Sequence, residues 1–381
     1  MALRDELAQV FAAAVAACDP AAAVAAALAA RPVAGPVRLL AVGKAAVAMA
    51  SGAAAALGEA IVDGLVVHPG SAATPLPTAW DVRAAAHPVP DASSEAAGRA
   101  ALAFAAATPP GHVLLVLVSG GASALWCVPR AGLGLADKVA TITRALRSGA
   151  PIAELNRVRT TLSAVKGGQL AAACPAPVVT LVASDVPGDD PAVVGSGPTV
   201  PGKPGDRVEV VAGLGALAAA AARALRAAGG AITVEPVPLA GDVRAVAARL
   251  ATAARGLPPG GRWVGGGEWT VALDGPVGRG GRASELALVL AEALAGTDRV
   301  ALVGASDGVD GTGPDAGAIV DGDTWAALTA RGVDPAAALA RHDSGRALAA
   351  LDLALCPGPT GVNHADLVVL ARPGSVVPDG R

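Results

Sequence analysis

Three carboxylates lie close together after an apolar run in the middle of the sequence. The run Val178–Ala183 is followed by Asp185, Asp189 and Asp190, and then by Ser196 between two glycines. Carboxylates at the end of a strand, beside loops that accommodate anions, suit a general base or a divalent cation bound with phosphates. Turn formation is the alternative, because an Asp-Asp-Pro sequence forms turns without any catalysis.

A second segment combines small residues with hydroxyl groups. Ser119, Gly120, Gly121 and Ser123 follow the apolar run 115–118. Their backbone N–H groups and hydroxyls, without side-chain bulk, are what a phosphate or carboxylate cradle requires. A tight strand-to-helix turn is the alternative, but the hydroxyls that flank the glycines favour anion binding.

Cationic and amide side chains occur near both segments in the sequence. Lys44 follows Gly43 where an apolar run gives way to a predicted helix, and a lysine there can meet an anion beside the positive end of the helix dipole. The surrounding residues do not form a Walker A loop, so a surface lysine in the first helical turn is an alternative of equal weight. Asn156, Arg159 and Lys166 supply further donors for an anionic substrate.

The last third of the chain repeats this pattern of charged residues after apolar runs. Glu268 follows three glycines, and Arg282 begins a predicted helix, where a guanidinium can stabilise charge on a transferring phosphoryl group. Asp307 and Asp310 follow another apolar run, and Asn363 belongs to a further polar loop. Each is a weak signal alone, but their common placement after strands favours a binding site.

The elements that must position these residues alternate along the chain. Several apolar runs suit strands covered on both faces, and ligands in such sheets bind at the carboxyl ends of the strands. The alternation predicts a two-domain, doubly wound α/β fold, with domains at 1–230 and 231–381. The predicted strands are 37–42, 64–67, 113–118, 178–183, 232–234, 262–264, 269–273, 300–303 and 367–370. The predicted helices are 44–57, 93–106, 136–147, 214–228, 242–254 and 284–294.

Composition narrows the classes of function. The 381 residues carry a formal net charge of -3 and are only 2% aromatic, which argues against a basic face or stacking platform for nucleic acid. The longest uncharged run is broken by prolines and glycines, unlike a membrane helix. The four cysteines are scattered without metal-ligand spacing, which predicts a cytoplasmic protein.

Taken in order, these segments resemble the glycerate 2-kinase family, the class II glycerate kinases with a MOFRL-type C-terminal domain. The matching motifs are at 43–45, 87–91, 119–125, 156–159, 162–168, 184–190, 196–199, 280–282, 307–311 and 358–361. Many short matches in one order are far more specific than any one of them. They run through most of the chain.

The resemblance implies ATP- and Mg²⁺-dependent phosphorylation of the 2-hydroxyl of D-glycerate to 2-phosphoglycerate. It also implies a Rossmann-like N-terminal domain with a mostly parallel sheet and a smaller α/β C-terminal domain. Carried over to this sequence, Lys44 and Arg282 neutralise phosphate or carboxylate charge, and Asp185 or Asp189 assists deprotonation of the hydroxyl. The expected partners are the hydroxy acid and ATP, with no nucleic acid or membrane, and the chain could form a homodimer.

The remaining positions carried over by the resemblance line the binding site. The expected metal ligands are Asp189, Asp307 and Asp310. The expected substrate- or nucleotide-binding residues are Ser119, Gly120, Gly121, Ser123, Asn156, Arg159, Lys166, Ser196, Glu268 and Asn363.

The sequence departs from the family pattern near this expected site. Thr160 and Thr161 stand where the family has Lys-His, Ala283 and Ser284 stand where it has Asn-Gln, and the stretch after Thr199 is short. These changes leave another small α-hydroxy acid as an alternative substrate. Two functions outside this kinase class also stay open: an NAD(P)H-dependent hydroxypyruvate reductase and a binding protein without catalysis.

Overall fold

The structure, a computed structural model, describes residues 3–70, 75–147, 152–186, 188–228, 231–273, 275, 277–358, 360–362 and 364–374. The chain divides into two units. The N-terminal unit comprises Asp19–Gly213, and the C-terminal unit comprises Met1–Cys18 with Leu214–Arg381. Each unit contains its own sheet covered by helices, so the predicted two-domain α/β fold class is confirmed.

The N-terminal unit is built on a parallel sheet. Its strands are β1 (Val37–Val42), β2 (Ile61–His68), β3 (Asp81–Ala84), β4 (Val113–Ser119), β5 (Val178–Ala183) and β6 (Arg207–Ala212). They lie in the order β3-β2-β1-β4-β5-β6, and every neighbouring pair is parallel. The helices of this unit are Pro20–Ala30, Ala46–Leu57, Ala92–Ala106, Ala122–Leu125, Leu135–Arg147, Ile152–Thr161 and Gln169–Ala173.

Helices cover both faces of this sheet, which explains why its central strands are apolar throughout. Alternate residues of β1 point to opposite faces: Leu39 packs in one core with Met49, and Leu40 packs in another with Leu125. The strand order reverses between β1 and β4, which are neighbours in the sheet but not in the chain. A crevice outside the carboxyl ends of parallel strands forms at such a switch point, so the loops after β1 and β4 are placed for ligand binding.

The C-terminal unit is built on a mixed sheet. Its strands are β7 (Ile232–Val234), β8 (Leu239–Asp242), β9 (Arg262–Thr270), β10 (Val300–Ala305), β11 (Gly317–Asp321), β12 (Ala354–Leu355) and β13 (Asp366–Ala371). They lie in the order β12-β11-β10-β13-β9-β7, with β8 also paired to β9. The pairs from β12 to β9 are antiparallel, whereas β7 and β8 run parallel to β9. The helices of this unit are Leu3–Ala17, Leu214–Ala228, Val243–Gly256, Arg282–Ala293, Thr324–Ala330, Pro335–Ala340 and Ser344–Ala349.

Two helices, Leu3–Ala17 and Leu214–Ala228, make this division differ from the predicted domains 1–230 and 231–381. Leu3–Ala17 packs with Leu214–Ala228 in the C-terminal unit. Their apolar side chains share one core, which contains Leu7, Val10, Phe11, Leu217, Ala221 and Leu225. A single boundary read along the sequence cannot anticipate this pairing, because it joins segments that are far apart in the chain.

Several strands also differ from the predicted set. β9 is one strand where the sequence predicts two, 262–264 and 269–273, and it ends at Thr270. The glycines inside it suggest a break, but a side chain on Gly267 would collide with the backbone of Leu239 in β8. They permit the close approach of a neighbouring strand. The strands β3, β6, β8, β11 and β12 were not predicted.

The two apolar helices near the N-terminus belong to different units, and each contributes to a core of its own unit. In the part of the chain that the structure describes, no single helix is both long and apolar enough to cross a membrane. The bent pair Leu3–Ala17 and Pro20–Ala30 meets that test only when its two helices are taken together. Each of the two buries apolar side chains in the unit to which it belongs.

Candidate functional site

The loops after β1 and β4 are joined to each other at the switch point. The backbone N–H of Lys44 donates to the carbonyl of Gly120 at 2.8 Å, and that of Ala45 donates to Ser119 Oγ at 3.0 Å. Gly43 has a φ of 127°, and a side chain there would collide with Ser119, so glycine is required. Two segments that the sequence singled out separately therefore form one pair of loops.

A cation, an imidazole and a carboxylate surround this loop pair; we call Lys44, His87 and Asp185 the switch-point cluster. A Cβ on Gly120 would collide with the carboxylate of Asp185, and one on Gly121 would lie 3.1 Å from the His87 ring and 3.3 Å from Lys44 Cγ. Burial lowers the pKa of His87, Lys44 acts in the same direction, and Asp185 opposes them. The charges of Lys44 and Asp185 therefore both act on the pKa of His87, and the three side chains lie against Gly120 and Gly121, which have no side chains.

The other two acids of this segment have different surroundings. The side chain of Asp189 lies against Gly213, beyond the end of β6, and its backbone has a φ of 51°, which aspartate tolerates better than most residues. Asp190 Oδ1 accepts a hydrogen bond from the N–H of Ala192 at 2.9 Å. This is the turn interaction that an Asp-Asp-Pro sequence favours. Of the three acids, Asp185 alone belongs to the switch-point cluster.

A cavity of about 300 Å³ adjoins the cluster and is lined in part by His87 and the neighbouring Gly121; we call it the cationic cavity. Lys166 is only 2% exposed and donates from Nζ to the carbonyl of Ser123 at 2.7 Å. Arg159 lines the same space, and neither base forms an ion pair within the residues described. The complete lining is His87, Pro88, Val89, Pro90, Gly121, Ser123, Ala124, Cys127, Val139, Ile142, Thr143, Arg159 and Lys166.

Burial lowers the pKa values of the basic side chains in and near this cavity. Burial, with Lys138 and Arg159 nearby, lowers the pKa of Lys166 to about 7, and Cys127 opposes the shift. Burial also lowers the pKa of Arg159 and of Lys138, whose Nζ donates to the carbonyl of Val128 at 3.0 Å. An anion in the cavity would offset the cost of burying these charges.

The remaining polar residues predicted for this unit lie in or beside the cationic cavity. Ser123 Oγ and Ser196 Oγ are 2.7 Å apart. Arg159 Nη1 donates to Asn156 Oδ1 at 3.2 Å, while the buried Asn156 Nδ2 has no partner among the described residues. The structure therefore brings together Ser123, Asn156, Arg159, Lys166 and Ser196.

In the C-terminal unit, Arg282 is held between two carboxylates. Its Nε donates to Asp366 Oδ2 at 2.7 Å and its Nη2 to Asp366 Oδ1 at 3.3 Å, while Nη1 pairs with Glu268. Burial acts to lower the pKa of Arg282, but the bonds to Asp366 and Glu268 outweigh it and raise that pKa. Burial raises the pKa of Asp366 to about 7, Arg282 opposes this, and Asp310 and Asp307 add to it.

The two acids predicted as metal ligands in this unit have roles within the chain. Asp310 accepts from the N–H of Ala283 at 3.0 Å and from the N–H and Oγ of Ser284 at 2.7 and 2.5 Å. It thereby caps the helix Arg282–Ala293. Asp307 is exposed, and its Oδ1 accepts from the N–H of Val309 at 3.1 Å.

These acids do not fit a magnesium site made by the protein alone. No group of three or more His, Cys, Asp or Glu side chains suited to a metal occurs among the described residues. Asp189, the third predicted ligand, belongs to the N-terminal unit. Mg²⁺ commonly binds through one or two carboxylates and substrate phosphates, so the magnesium assignment stays a prediction and no step below depends on it.

A second cavity, of about 460 Å³, lies in the C-terminal unit; we call it the acid-rich cavity. Glu285 in its wall accepts a hydrogen bond from Ser344 Oγ at 2.5 Å and lies 3.3 Å from His342 Nδ1. The complete lining is Trp269, Val271, Leu273, Val277, Gly280, Gly281, Arg282, Glu285, Ala305, Asp307, Val309, Asp310, Gly311, Thr312, His342 and Asp366.

The sequence analysis did not single out Asp366 or Lys138. Asp366 begins the otherwise apolar strand β13 and is 1% exposed, and Lys138 is fully buried in an amphipathic helix. An acid at the edge of a wholly apolar run was the available signal for Asp366, because such a charge needs a partner when buried. Asn363, which was predicted, lies outside the described residues.

Known proteins resemble this chain along most of its length. Residues 6–228 match the family model described as a domain of unknown function (DUF4147), and residues 262–366 match the MOFRL family. A D-glycerate 2-kinase from Thermotoga maritima is 34% identical, covering 87% of this chain and 90% of the relative. A glycerate 2-kinase from Pyrococcus horikoshii is 30% identical, covering 88% and 87%.

Two further matches complete this comparison. A protein from Agrobacterium vitis with the provisional name hydroxypyruvate reductase is 36% identical, covering 96% of this chain and 93% of the relative. The crystal structure of a glycerate kinase from Thermotoga maritima has a TM-score of 0.93 at 30% identity, covering 97% of this chain and 99% of that one.

Proposed function

Because this chain belongs to the glycerate 2-kinase family, in which a DUF4147 domain is followed by a MOFRL domain, we propose that it phosphorylates the 2-hydroxyl of D-glycerate with ATP. It is a phosphotransferase that acts on an alcohol group. The products of the proposed reaction are 2-phosphoglycerate and ADP. The switch-point cluster is the observation that carries this proposal, because it places a cation and a carboxylate against the bare backbone of Gly120 and Gly121.

Asp185, Lys44 and the two glycines beside them each have a chemical task in the proposed reaction. The carboxylate of Asp185 accepts the proton of the attacking hydroxyl, whose oxygen forms a bond to the γ-phosphorus. The bond from that phosphorus to the β-γ bridging oxygen breaks, and its electron pair leaves with ADP. The ammonium of Lys44 stabilises the negative charge on the phosphoryl oxygens. Gly120 and Gly121 allow the reacting groups to approach the backbone closely.

Asp185 is a better candidate for the base than Asp189. Its carboxylate lies against Gly120 beside His87 and Lys44, whereas Asp189 lies against Gly213. A base must come within hydrogen-bond reach of the hydroxyl that it deprotonates. The loop pair is where phosphate and hydroxyl groups would be bound, so the acid beside it is favoured.

The cationic cavity supports binding of the acceptor's carboxylate. Arg159 presents a planar guanidinium that matches a carboxylate with two parallel hydrogen bonds. Lys166 supplies a second positive charge once an anion is bound. The proposed role of Arg282, stabilising charge on phosphate, requires it to exchange its exposed partner Glu268 for the substrate while Asp366 holds the guanidinium in place.

The proposal also includes a metal ion and a cellular location. Mg²⁺ is proposed as the companion of ATP, on the general need of phosphoryl transfer for a divalent cation. A cytoplasmic location is proposed because Cys18, Cys127, Cys174 and Cys356 are free thiols, as in a reducing compartment.

The test is release of ADP from ATP and D-glycerate in the presence of Mg²⁺. We expect Lys44→Ala and Asp185→Asn to lower kcat by about a hundredfold or more. Asp190→Asn is the matched control, because asparagine keeps the side-chain oxygen that accepts from Ala192. Phosphorus NMR of the product identifies the phosphorylated carbon by its coupling to the carbon-bound protons. Wild-type protein without phosphoryl transfer to glycerate or to a panel of α-hydroxy acids would contradict the proposal.

Hydroxypyruvate reduction is the second candidate, favoured by the relative of that provisional name and by the strand order of the N-terminal sheet, which dinucleotide-binding folds share. The loop after β1 lacks the G-x-G-x-x-G fingerprint of such folds. Oxidation of NADH or NADPH on addition of hydroxypyruvate, without ADP release in the kinase assay, would favour this alternative.

A further inference from the structure

We propose that the acid-rich cavity of the C-terminal unit binds the nucleoside part, adenine and ribose, of the phosphoryl donor. This inference rests on the proposed kinase function. It assigns a ligand to a cavity that is separate in composition from the cationic cavity. Three features of the cavity carry it: the sign of its charges, the occupation of its helix N-terminus, and its exposed apolar wall.

The charges of the lining disfavour an anion. Asp307, Asp310, Glu285 and Asp366 are acidic, and Arg282 is the cation among the described lining residues. The guanidinium of Arg282 is held by Asp366, and its one exchangeable edge faces Glu268, so an anion can meet Arg282 there but not among the four carboxylates. Unprotonated carboxylates only accept hydrogen bonds. The complementary ligand therefore carries no negative charge where it meets these carboxylates and offers hydrogen-bond donors, as the hydroxyls of ribose and the amino group of adenine do.

The glycine-rich turn in this cavity does not form a phosphate cradle. Such a cradle needs free N–H groups at the start of a helix. Here the N–H groups of Ala283 and Ser284 donate to Asp310, and that of Gly281 donates to Ser284 Oγ at 3.0 Å. The chain's own carboxylate takes the place that a phosphate would occupy. This turn is therefore not a phosphate-binding site.

Apolar side chains line the same cavity and are left open to solvent. Leu273 is 59%, Val277 54% and Val309 39% exposed, while Val271 is partly buried. Large apolar side chains exposed next to one another commonly mark a binding surface. A planar base laid on them would remove apolar area from water at a gain of roughly 25 cal/mol per Å². The cavity volume of about 460 Å³ falls within the usual size of small-molecule sites.

The turn that contributes Gly280 to the cavity lining is held by contacts within the chain. Arg279 N–H donates to Asp343 Oδ1 at 2.8 Å, and its guanidinium pairs with the buried Asp315 at 2.5 Å. Gly280 N–H donates to Thr312 Oγ1 at 3.3 Å. These contacts hold the turn on both sides, so little ordering is needed on binding.

The test is calorimetric titration with adenosine, which has the base and ribose but no phosphate. We expect wild-type protein to bind adenosine and Val309→Phe, which fills the cavity, to weaken binding by about tenfold or more. Val237→Phe is the matched control, because Val237 is 58% exposed in the same unit and lines neither cavity. Val277→Ala is a second variant, which should leave folding intact because Val277 is exposed. We expect it to weaken adenosine binding by about threefold.

Kinetics separate this inference from the proposed function. In an active enzyme, Val309→Phe should raise the KM for ATP and leave the KM for glycerate unchanged, and adenosine should compete with ATP. Equal adenosine binding by wild type and both cavity variants, or a raised KM for glycerate alone, overturns the nucleoside assignment. A third outcome separates the two proposals. If wild type binds adenosine and Val309→Phe does not, but wild type phosphorylates no hydroxy acid, the kinase function is overturned and the nucleoside site is supported.

Discussion

The guanidinium of Arg282 is fixed by the buried carboxylate of Asp366 through two hydrogen bonds, of 2.7 and 3.3 Å. Arg282 begins a helix, and Asp366 begins β13, more than eighty residues later in the sequence. The pair leaves one edge of the guanidinium facing Glu268, which is exposed. A rigid arginine with one exchangeable partner is suited to meeting a substrate anion, because its orientation is set before binding.

The pH dependence of stability tests the environment of Asp366. Its pKa is raised to about 7 in the folded protein, above its ordinary value of 3.8, so the folded state binds the proton more tightly than the unfolded state. The stability contributed by Asp366 is therefore highest at low pH and falls as the pH rises through the interval between these values. We expect urea unfolding of wild type, compared with Asp366→Asn, to show this relative loss, and a flat difference would contradict it.

Lys166 should change the stability of the protein with pH in the opposite direction. Its pKa is lowered from 10.5 to about 7 by burial, so the unfolded state binds the proton more tightly between these values. The stability of wild type relative to Lys166→Met should rise by about 2 to 3 kcal/mol between about pH 7 and about pH 9. Unfolding curves at the two pH values measure it. A difference between wild type and Lys166→Met that does not change with pH would contradict this environment for Lys166.

Binding of an acid in the cationic cavity should take up a proton. A carboxylate beside Lys166 favours its charged form, which burial disfavours in the free protein. Calorimetry of D-glycerate binding at about pH 8, in buffers of different ionisation enthalpy, counts the protons. We expect uptake in wild type and a smaller value in Lys166→Met. Equal uptake in both proteins would place the acid away from this lysine.

Titration of His87 tests the switch-point cluster. Lys44 lowers and Asp185 raises its pKa, against a larger lowering by burial. Lys44→Met should therefore move the pKa of His87 upward, and Asp185→Asn should move it downward. Proton NMR follows both shifts, with the His87 signal assigned from its absence in His87→Gln. Shifts of the same sign in the two variants would show that these charges are not both near the ring.

Removal of Asp310 separates capping from metal binding. Asp310→Ala should lower the free energy of unfolding by about 1 to 3 kcal/mol without any added metal, because it leaves the helix N–H groups of Ala283 and Ser284 unpaired. Asp307→Ala, at an exposed site, should change it by less than about 1 kcal/mol. Stability of Asp310→Ala equal to wild type in a chelator, with a loss only when Mg²⁺ is present, would instead support a metal ligand.

The central strands and most of the loops that form the candidate site could be predicted from local sequence. β1, β4 and β5 are continuous apolar runs because both faces of the sheet are covered, and that pattern is visible without any structure. β3 and β6 were missed because they carry charged residues and their positions are partly exposed, as is usual near the edges of a sheet.

The sequence by itself determined the α/β class, the family resemblance and the residue types available for phosphoryl transfer, because these follow from local periodicity and short motifs. Only the tertiary structure decided which charges meet. In the folded chain, Asp185 rather than Asp189 lies beside Gly120, Asp310 caps the helix Arg282–Ala293, and Arg282 pairs with Asp366. The reason is physical: hydrogen bonds and ion pairs act over a few ångströms, and residues distant in the chain come that close only once the sheets have formed.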